Sequence, residues 1–214
     1  MALKFYGYFR SSAAYRCRIA FNLKSVQPEV LPVNLRAGEQ QADAFTAINP
    51  QGLVPALDTG TEVLSQSLAI IEWLEEVHPQ PPLLPADPVA RAQVRAFAQI
   101  IACDIHPLQN LRVLNHLKAR FGLDQTGAQD WCRHWIAEGL SACETVAAAQ
   151  THAGAFTFGT SPGLADICLI PQLFSADRFG VEITAFPRLQ DIRAACDALP
   201  AFAAAHPSQQ PDAI

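Results

Sequence analysis

Two adjacent serines, Ser11 and Ser12, stand where an aromatic-rich stretch (residues 4–9) gives way to a run of helical character (residues 13–23). Arg10 precedes the pair and Arg16 follows it. Backbone N–H groups at a helix start point outward and carry partial positive charge. A hydroxyl there can donate to an anion, and a thiolate is favoured there. The same pattern also suits serines that do no more than cap the helix.

Two further clusters carry polar chemistry. In the first, Leu53-Val54-Pro55-Ala56 leads into a short apolar run, and Gln66-Ser67 precedes the next helical stripe. A Val-Pro bond entering a strand is occasionally cis. In that form it offers the N–H and C=O of the preceding residue to an extended, peptide-like ligand. The second is Cys103-Asp104-Ile105-His106-Pro107-Leu108-Gln109-Asn110-Leu111-Arg112. On a regular helix His106 and Asn110 lie about 40° apart, with Gln109 about 60° to the other side of His106 and Arg112 at the edge of the same face. The face is either a ligand-facing cluster or an ordinary solvated one.

The elements that must position these groups follow from periodicity. Residues 4–9 read as a strand, 13–23 as a helix, and 29–35 as an alternating strand. Residues 54–57 and 63–64, joined by Asp58-Thr59-Gly60-Thr61, read as a hairpin. Ser67 is expected to N-cap a helix through Leu74. The order β-α-β, hairpin, helix predicts a small mixed sheet with helices on its faces. Residues 78–88 hold five prolines in eleven positions, which marks a domain boundary. Beyond it the pattern is helical: 89–121 as one long segment interrupted at His106-Pro107, then 128–149, 164–179 and 188–199. The tail, 201–214, is expected to be irregular.

Composition narrows the function. The 214 residues carry a net charge of −5, half of them are apolar, and no block of like charge occurs. Nucleic acid is therefore not an expected partner. Any anion site must be local, because the overall field does not steer anions inward. No apolar run approaches membrane-spanning length, and no signal-peptide pattern opens the chain. The six cysteines (Cys17, Cys103, Cys132, Cys143, Cys168, Cys196) form no Cys-x-x-Cys pair and no zinc-spaced cluster. Thiols buried in a reducing cytoplasm are expected, and no metal site.

Taken jointly, these stretches resemble the zeta class of glutathione S-transferases, which includes the maleylacetoacetate and maleylpyruvate isomerases. The resemblance rests on Tyr8-Phe9-Arg10-Ser11-Ser12 with Arg16-Cys17-Arg18-Ile19-Ala20, and on Asn49-Pro50-Gln51-Gly52-Leu53-Val54-Pro55-Ala56-Leu57. It continues through residues 66–76, Leu83-Leu84-Pro85 and Ile105-His106-Pro107-Leu108-Gln109-Asn110. It ends with Ala165-Asp166, Pro171-Gln172 and Arg178-Phe179. It spans nearly the whole chain in order. It implies a glutathione S-transferase fold: a thioredoxin-like α/β glutathione-binding domain over 1–80, a Pro-rich linker over 81–88, and an all-α substrate domain over 89–214. It also implies a homodimer.

The resemblance further implies that Ser11 faces the glutathione sulfur, supported by Ser12 and the helix start. Gln41, Val54, Gln66, Ser67, His106, Gln109, Asn110 and Arg112 match glutathione-contacting positions, Val54 through its backbone. Arg10, Arg112 and Arg178 are candidates to grip substrate carboxylates, since a guanidinium binds a carboxylate bidentately. Arg10 and Arg178 are also candidates to stabilise the negative charge that develops at the reacting carbonyl. The implied reaction is cis–trans isomerisation of a maleyl keto acid, a small dicarboxylate, by thiolate addition, rotation and elimination. A general glutathione transferase or dehalogenase is the first alternative, and a non-catalytic glutathione-binding protein the second. Thiol–disulfide exchange is disfavoured, because Ser11-Ser12-Ala13 supplies no cysteine at the helix start. Two departures from the class are visible. Ala13 replaces a frequent cysteine, and Gly163 replaces a frequent threonine before Leu164-Ala165-Asp166. Arg112 is a feature shared with the maleylpyruvate isomerases.

Overall fold

The computed structural model describes residues 2–150 and 154–213 and divides into two compact units. The first comprises residues 1–82 together with 197–214, and the second residues 83–196.

The first unit is built on a four-stranded mixed sheet in the order β2-β1-β3-β4, from strands Lys4–Gly7 (β1), Glu29–Pro32 (β2), Ala56–Asp58 (β3) and Val63–Ser65 (β4). Strands β1 and β2 pair in parallel, with Phe5 opposite Val30, and are joined by helix α1, Ser12–Leu23. Strands β1 and β3, and β3 and β4, pair antiparallel. The hairpin closes where expected. Asp58 accepts the Gly60 N–H at 2.7 Å, Thr59 N–H donates to Glu62 O at 2.9 Å, and Gly60 takes the left-handed φ of 86°. Alternation on β1 buries Phe5, whose ring meets Phe21 of α1 edge-on at 5.1 Å. Helix α3 (Ser67–Val77) packs on α1, and its Ile70, Ile71 and Leu74 are buried. A buried ion pair, Lys24 with Glu75, ties the end of α1 to α3, and Lys24 Nζ also donates to Pro81 O at 2.6 Å. A 3-10 turn, Glu39–Gln41, and a one-turn helix α2, Asp43–Thr46, were not expected from the sequence. They are too short to show a period.

The second unit is helical. Helix α4 (Pro88–Gln99) starts on an Asp87 cap with proline at its first position, the arrangement that spends proline's missing donor where it costs nothing. Its axis does not run on to residue 121. It loosens into a π-helical turn, Ile100–Ile105, tightens into a 3-10 turn, His106–Gln109, and restarts as α5, Leu111–Phe121, capped by Asn110. Pro107 has no N–H for the helical ladder, so regular geometry fails around it. Helices α6 (Gln125–Ala148), α7 (Leu164–Phe179) and α8 (Pro187–Asp197) complete the unit. Gly139 of α6 lets the π turn approach: a Cβ there would stand 2.2 Å from Ile105 Cγ1.

Two expectations need correction. The tail is not irregular. Pro200–Ala205 forms helix α9 and packs on α1, with Phe202 and Ala205 buried. The apolar anchor Phe202 supplies tertiary support for a helix too short to stand alone. Ser67 is not the N-cap of α3. Gln66 is, with φ 69°, and Ser67 is the first helical residue.

Candidate active site

The turn between β1 and α1 is short and fully specified. Ser11 is the N-cap of α1: its Oγ accepts the Ala14 N–H at 3.2 Å, and its own N–H donates to Tyr8 O at 3.0 Å. Capping uses an oxygen lone pair and leaves the hydroxyl proton to give away, and among the described residues it is given to none. Capping and donation to an anion are thus compatible, and the two readings of the serine pair do not compete. Ser12 is buried in the first turn of α1. Arg10 is half-buried, and its guanidinium makes no hydrogen bond or ion pair among the described residues.

The C-terminal segment holds this turn in place. Asp212 Oδ2 accepts the Phe9 N–H at 2.9 Å. Arg18 of α1 donates to Phe9 O at 3.0 Å, to Tyr8 O at 3.4 Å and to Ala205 O at 3.0 Å. Burial lowers the Arg18 guanidinium to about 10, against the opposing pull of Tyr15 and Asp212. It therefore remains a cation at neutral pH. Nothing in the local sequence pattern signals the two contacts from the C-terminal segment, since Asp212 and Ala205 lie more than 180 residues from the groups they meet.

A second set of groups gathers at the start of α3. Asn49 Nδ2 donates to Leu53 O at 2.6 Å and its Oδ1 accepts the Gln51 N–H, which fixes the loop ahead of Val54. The Val54–Pro55 peptide is cis. Gln41 Nε2 donates to Gly52 O at 3.1 Å, and Gln66 Nε2 donates to Gln51 Oε1 at 2.7 Å. Gly52 is required here. Its φ is +60°, and a Cβ would lie 2.5 Å from Gln41 Nε2. Ser67 Oγ accepts from Arg16 Nη1 at 3.2 Å. The structure thus brings Gln41, Val54, Gln66 and Ser67 around one loop and adds Asn49, Gln51 and Arg16, to which sequence reasoning gave no role.

In the helical unit the expected α-helical face of His106, Gln109, Asn110 and Arg112 does not exist, because Asn110 already lies outside the helix with ψ 141°. His106 and Gln109 sit on the 3-10 turn. Gln109 Nε2 donates to Gln172 Oε1 at 2.7 Å, and Trp131 Nε1 donates to Leu108 O at 2.8 Å. Asn110 Oδ1 accepts the Arg112 N–H at 3.1 Å, and the Arg112 side chain is exposed without an ion pair among the described residues. Arg178, near the end of α7, lies over the rings of Phe174 and Phe179 at 6.0 and 5.5 Å. At the other end of α7, Asp166 accepts from Thr157 N, Thr157 Oγ1 and Gly163 N at 2.7–2.9 Å. The glycine that replaces threonine keeps its backbone share of this cap.

The cysteines stand apart from this chemistry. Five are buried and Cys103 is exposed. Burial pushes the Cys132 thiol up to about 11 and the Cys143 thiol up to about 12. Titration of the folded protein with a disulfide reagent should therefore show one fast thiol per chain, abolished by Cys103→Ser, and five more only in denaturant. Two or more fast thiols would contradict the burial described.

A thioredoxin-type sheet whose first helix begins on a serine pair, accompanied by an all-helical unit, is the fold of the glutathione S-transferases. The family profile for the glutathione S-transferase N-terminal domain matches residues 10–77. The chain is 50% identical to a maleylpyruvate isomerase from a Ralstonia species, over 98% of this chain and 99% of that one. Among solved structures it resembles a holo maleylpyruvate isomerase described as a bacterial zeta-class glutathione S-transferase. That match has a TM-score of 0.97 at 50% identity and covers 99% of this chain and 100% of the other. It also resembles the maleylacetoacetate isomerase of Methylobacterium extorquens AM1 with bound malonate and glutathione, at TM-score 0.95 and 42% identity over 99% of each chain. The chain belongs to the zeta class of the glutathione S-transferase family.

Proposed function

We propose that the chain is a glutathione-dependent cis–trans isomerase of a maleyl keto acid, converting it to the fumaryl isomer. The observation that carries this reading is the Ser11 hydroxyl at the start of α1, whose proton, like the guanidinium of the preceding Arg10, is given to no partner among the described residues. Glutathione, when bound, supplies a thiolate that adds to the alkene and leaves again after rotation, so none is consumed. Ser11 donates to the sulfur and, with the first-turn N–H groups, stabilises its anion. Ser12 supports that turn. Gln41, Gln66, Ser67 and the backbone of Val54 hold the tripeptide, and His106, Gln109, Asn110 and Arg112 add contacts from the helical unit. Arg10, Arg112 and Arg178 anchor the substrate carboxylates, and Arg10 and Arg178 also offset the negative charge that develops at the carbonyl. Arg112 tilts the choice between the two maleyl acids toward maleylpyruvate. We place the enzyme in the cytoplasm as a homodimer.

The test is incubation with maleylpyruvate and with maleylacetoacetate, with and without glutathione, following the olefin by absorbance. Conversion only in the presence of glutathione, with its concentration unchanged, is expected. Stoichiometric loss of glutathione would assign a conjugating transferase instead, and binding without turnover a non-catalytic protein.

A further inference from the structure

The C-terminal segment carries an acid to which the proposed reaction gives no role. Asp212 follows the last helical turn of the chain, Pro207–Gln209, and its Oδ2 accepts the Phe9 N–H at 2.9 Å. Phe9 lies beyond the end of β1, outside the ladder of the sheet. At the other end of the same residue, Phe9 O accepts from Arg18 Nη2 at 3.0 Å. A carboxylate and a guanidinium thus grip one residue from its N–H and its C=O, just ahead of Arg10 and Ser11. Hydrogen bonds with a charged partner are about twice as strong as neutral ones.

The acid itself is held. Arg18 is 7% exposed and also donates to Ala205 O at 3.0 Å, which closes a ring from Phe9 through Arg18 and the end of α9 back to Asp212. Gln210 Nε2 donates to Ala204 O and to His206 O, both at 3.0 Å. The Ala213 N–H donates to Gln210 O at 3.0 Å and closes a turn about Pro211 and Asp212. The segment from Phe9 to Ser11 lies between β1 and α1, whose first helical residue is Ser12. Backbone torsion at Phe9 therefore sets where the Arg10 guanidinium and the Ser11 hydroxyl start from. A misplacement of about 1 Å can cost about a hundredfold in rate.

Resting on the glutathione reading above, we infer that Asp212 is a positioning residue for the isomerisation: by holding the Phe9 backbone it aims the Ser11 hydroxyl at the glutathione sulfur and Arg10 at the substrate. A latch that only fastens the tail changes the stability of the fold and leaves the chemistry alone. A positioning residue changes the sulfur and the turnover number, and spares the grip of Gln41, Gln66 and Ser67 on the tripeptide.

Asp212→Ala and Asp212→Asn separate the two. In the free protein, hydrogen exchange at the Phe9 amide should quicken about tenfold or more in Asp212→Ala. With glutathione bound, the titration midpoint of its thiol, read by ultraviolet absorbance, should rise by about half a pH unit or more in that variant. Turnover at saturating glutathione should fall about tenfold, with KM for glutathione within about twofold of wild type. Asp212→Asn keeps an oxygen that can accept the Phe9 N–H, and it should recover most of both losses. Should Asp212→Ala fail to fold, Asp212→Leu, close to asparagine in size but without an acceptor, reads the same quantities. A wild-type thiol midpoint and turnover in the variant without an acceptor overturns the positioning role and leaves the glutathione reading standing. A wild-type protein that binds no glutathione overturns that reading, and the inference with it.

Discussion

Replacing Ser11 by alanine should lower turnover at saturating glutathione by about two orders of magnitude, the cost of losing one donor to a developing or resident anion. Alanine also removes the α1 cap, because the same oxygen accepts the Ala14 N–H, and that loss costs about 1 kcal/mol of stability. The two effects can be separated. Glycine caps only a few tenths of a kcal/mol worse than serine, yet it has no hydroxyl. Ser11→Gly should therefore match Ser11→Ala in turnover while unfolding close to the wild-type temperature. Ser11→Thr, which keeps both cap and proton, should retain most activity. Unchanged turnover in Ser11→Gly would remove the hydroxyl from the chemistry and leave Ser11 a cap only.

Asp166→Ala should be strongly destabilising. Its carboxylate receives Thr157 N–H, Thr157 O–H and Gly163 N–H in a site 1% exposed. Truncation strands two backbone donors and a hydroxyl in the interior. We expect a loss of about 3 kcal/mol, or a fall in thermal midpoint of about 6–12 °C for a chain of this size. The pH dependence has a definite sign. Burial raises the Asp166 carboxyl above its ordinary value, although the hydrogen bonds from Gly163, Thr157 and its own N–H pull the other way. The folded chain then holds this proton more tightly than the unfolded chain does. The group's contribution to stability is greatest below the unfolded value and declines as pH rises through the folded one. Thermal scans of the wild type and Asp166→Ala across the acid range test both statements. A midpoint within about 2 °C of wild type would show that the cap is replaceable.

Much of the fold was legible because its local signals agree with its tertiary structure. The turn Asp58-Thr59-Gly60-Thr61 specifies the hairpin by its own hydrogen bonds, and Gly180, with φ 69°, ends α7 where the apolar pattern stops. The segment 89–121 was legible only as helical. A wheel drawn at a constant angle presumes a constant helix, and around Pro107 the chain passes through π and 3-10 turns before restarting. The polar face drawn from residues 106–112 was therefore a product of that assumption. Helix α9 was missed for another reason. Its proline- and alanine-rich composition reads as irregular, and burial of Phe202 against distant elements decides otherwise.

The candidate site divides in the same way. Ser11 and Ser12 announce themselves by standing where a strand gives way to a helix. Arg16 and Asp212 do not. The partner of Arg16 is 51 residues away and that of Asp212 is 203. In the sequence Arg16 stands as one of three arginines within residues 10–18, with nothing local to mark it as buried.

The central claim is that the β1–α1 turn ionises the sulfur of glutathione. It is tested most directly by titrating the ultraviolet absorbance of the thiolate in the bound tripeptide, in the wild type and in Ser11→Gly. The account predicts a midpoint well below the free-thiol value of about 8.5 in the wild type, returning toward that value in the variant. A bound thiol that titrates like the free one in both proteins would contradict it.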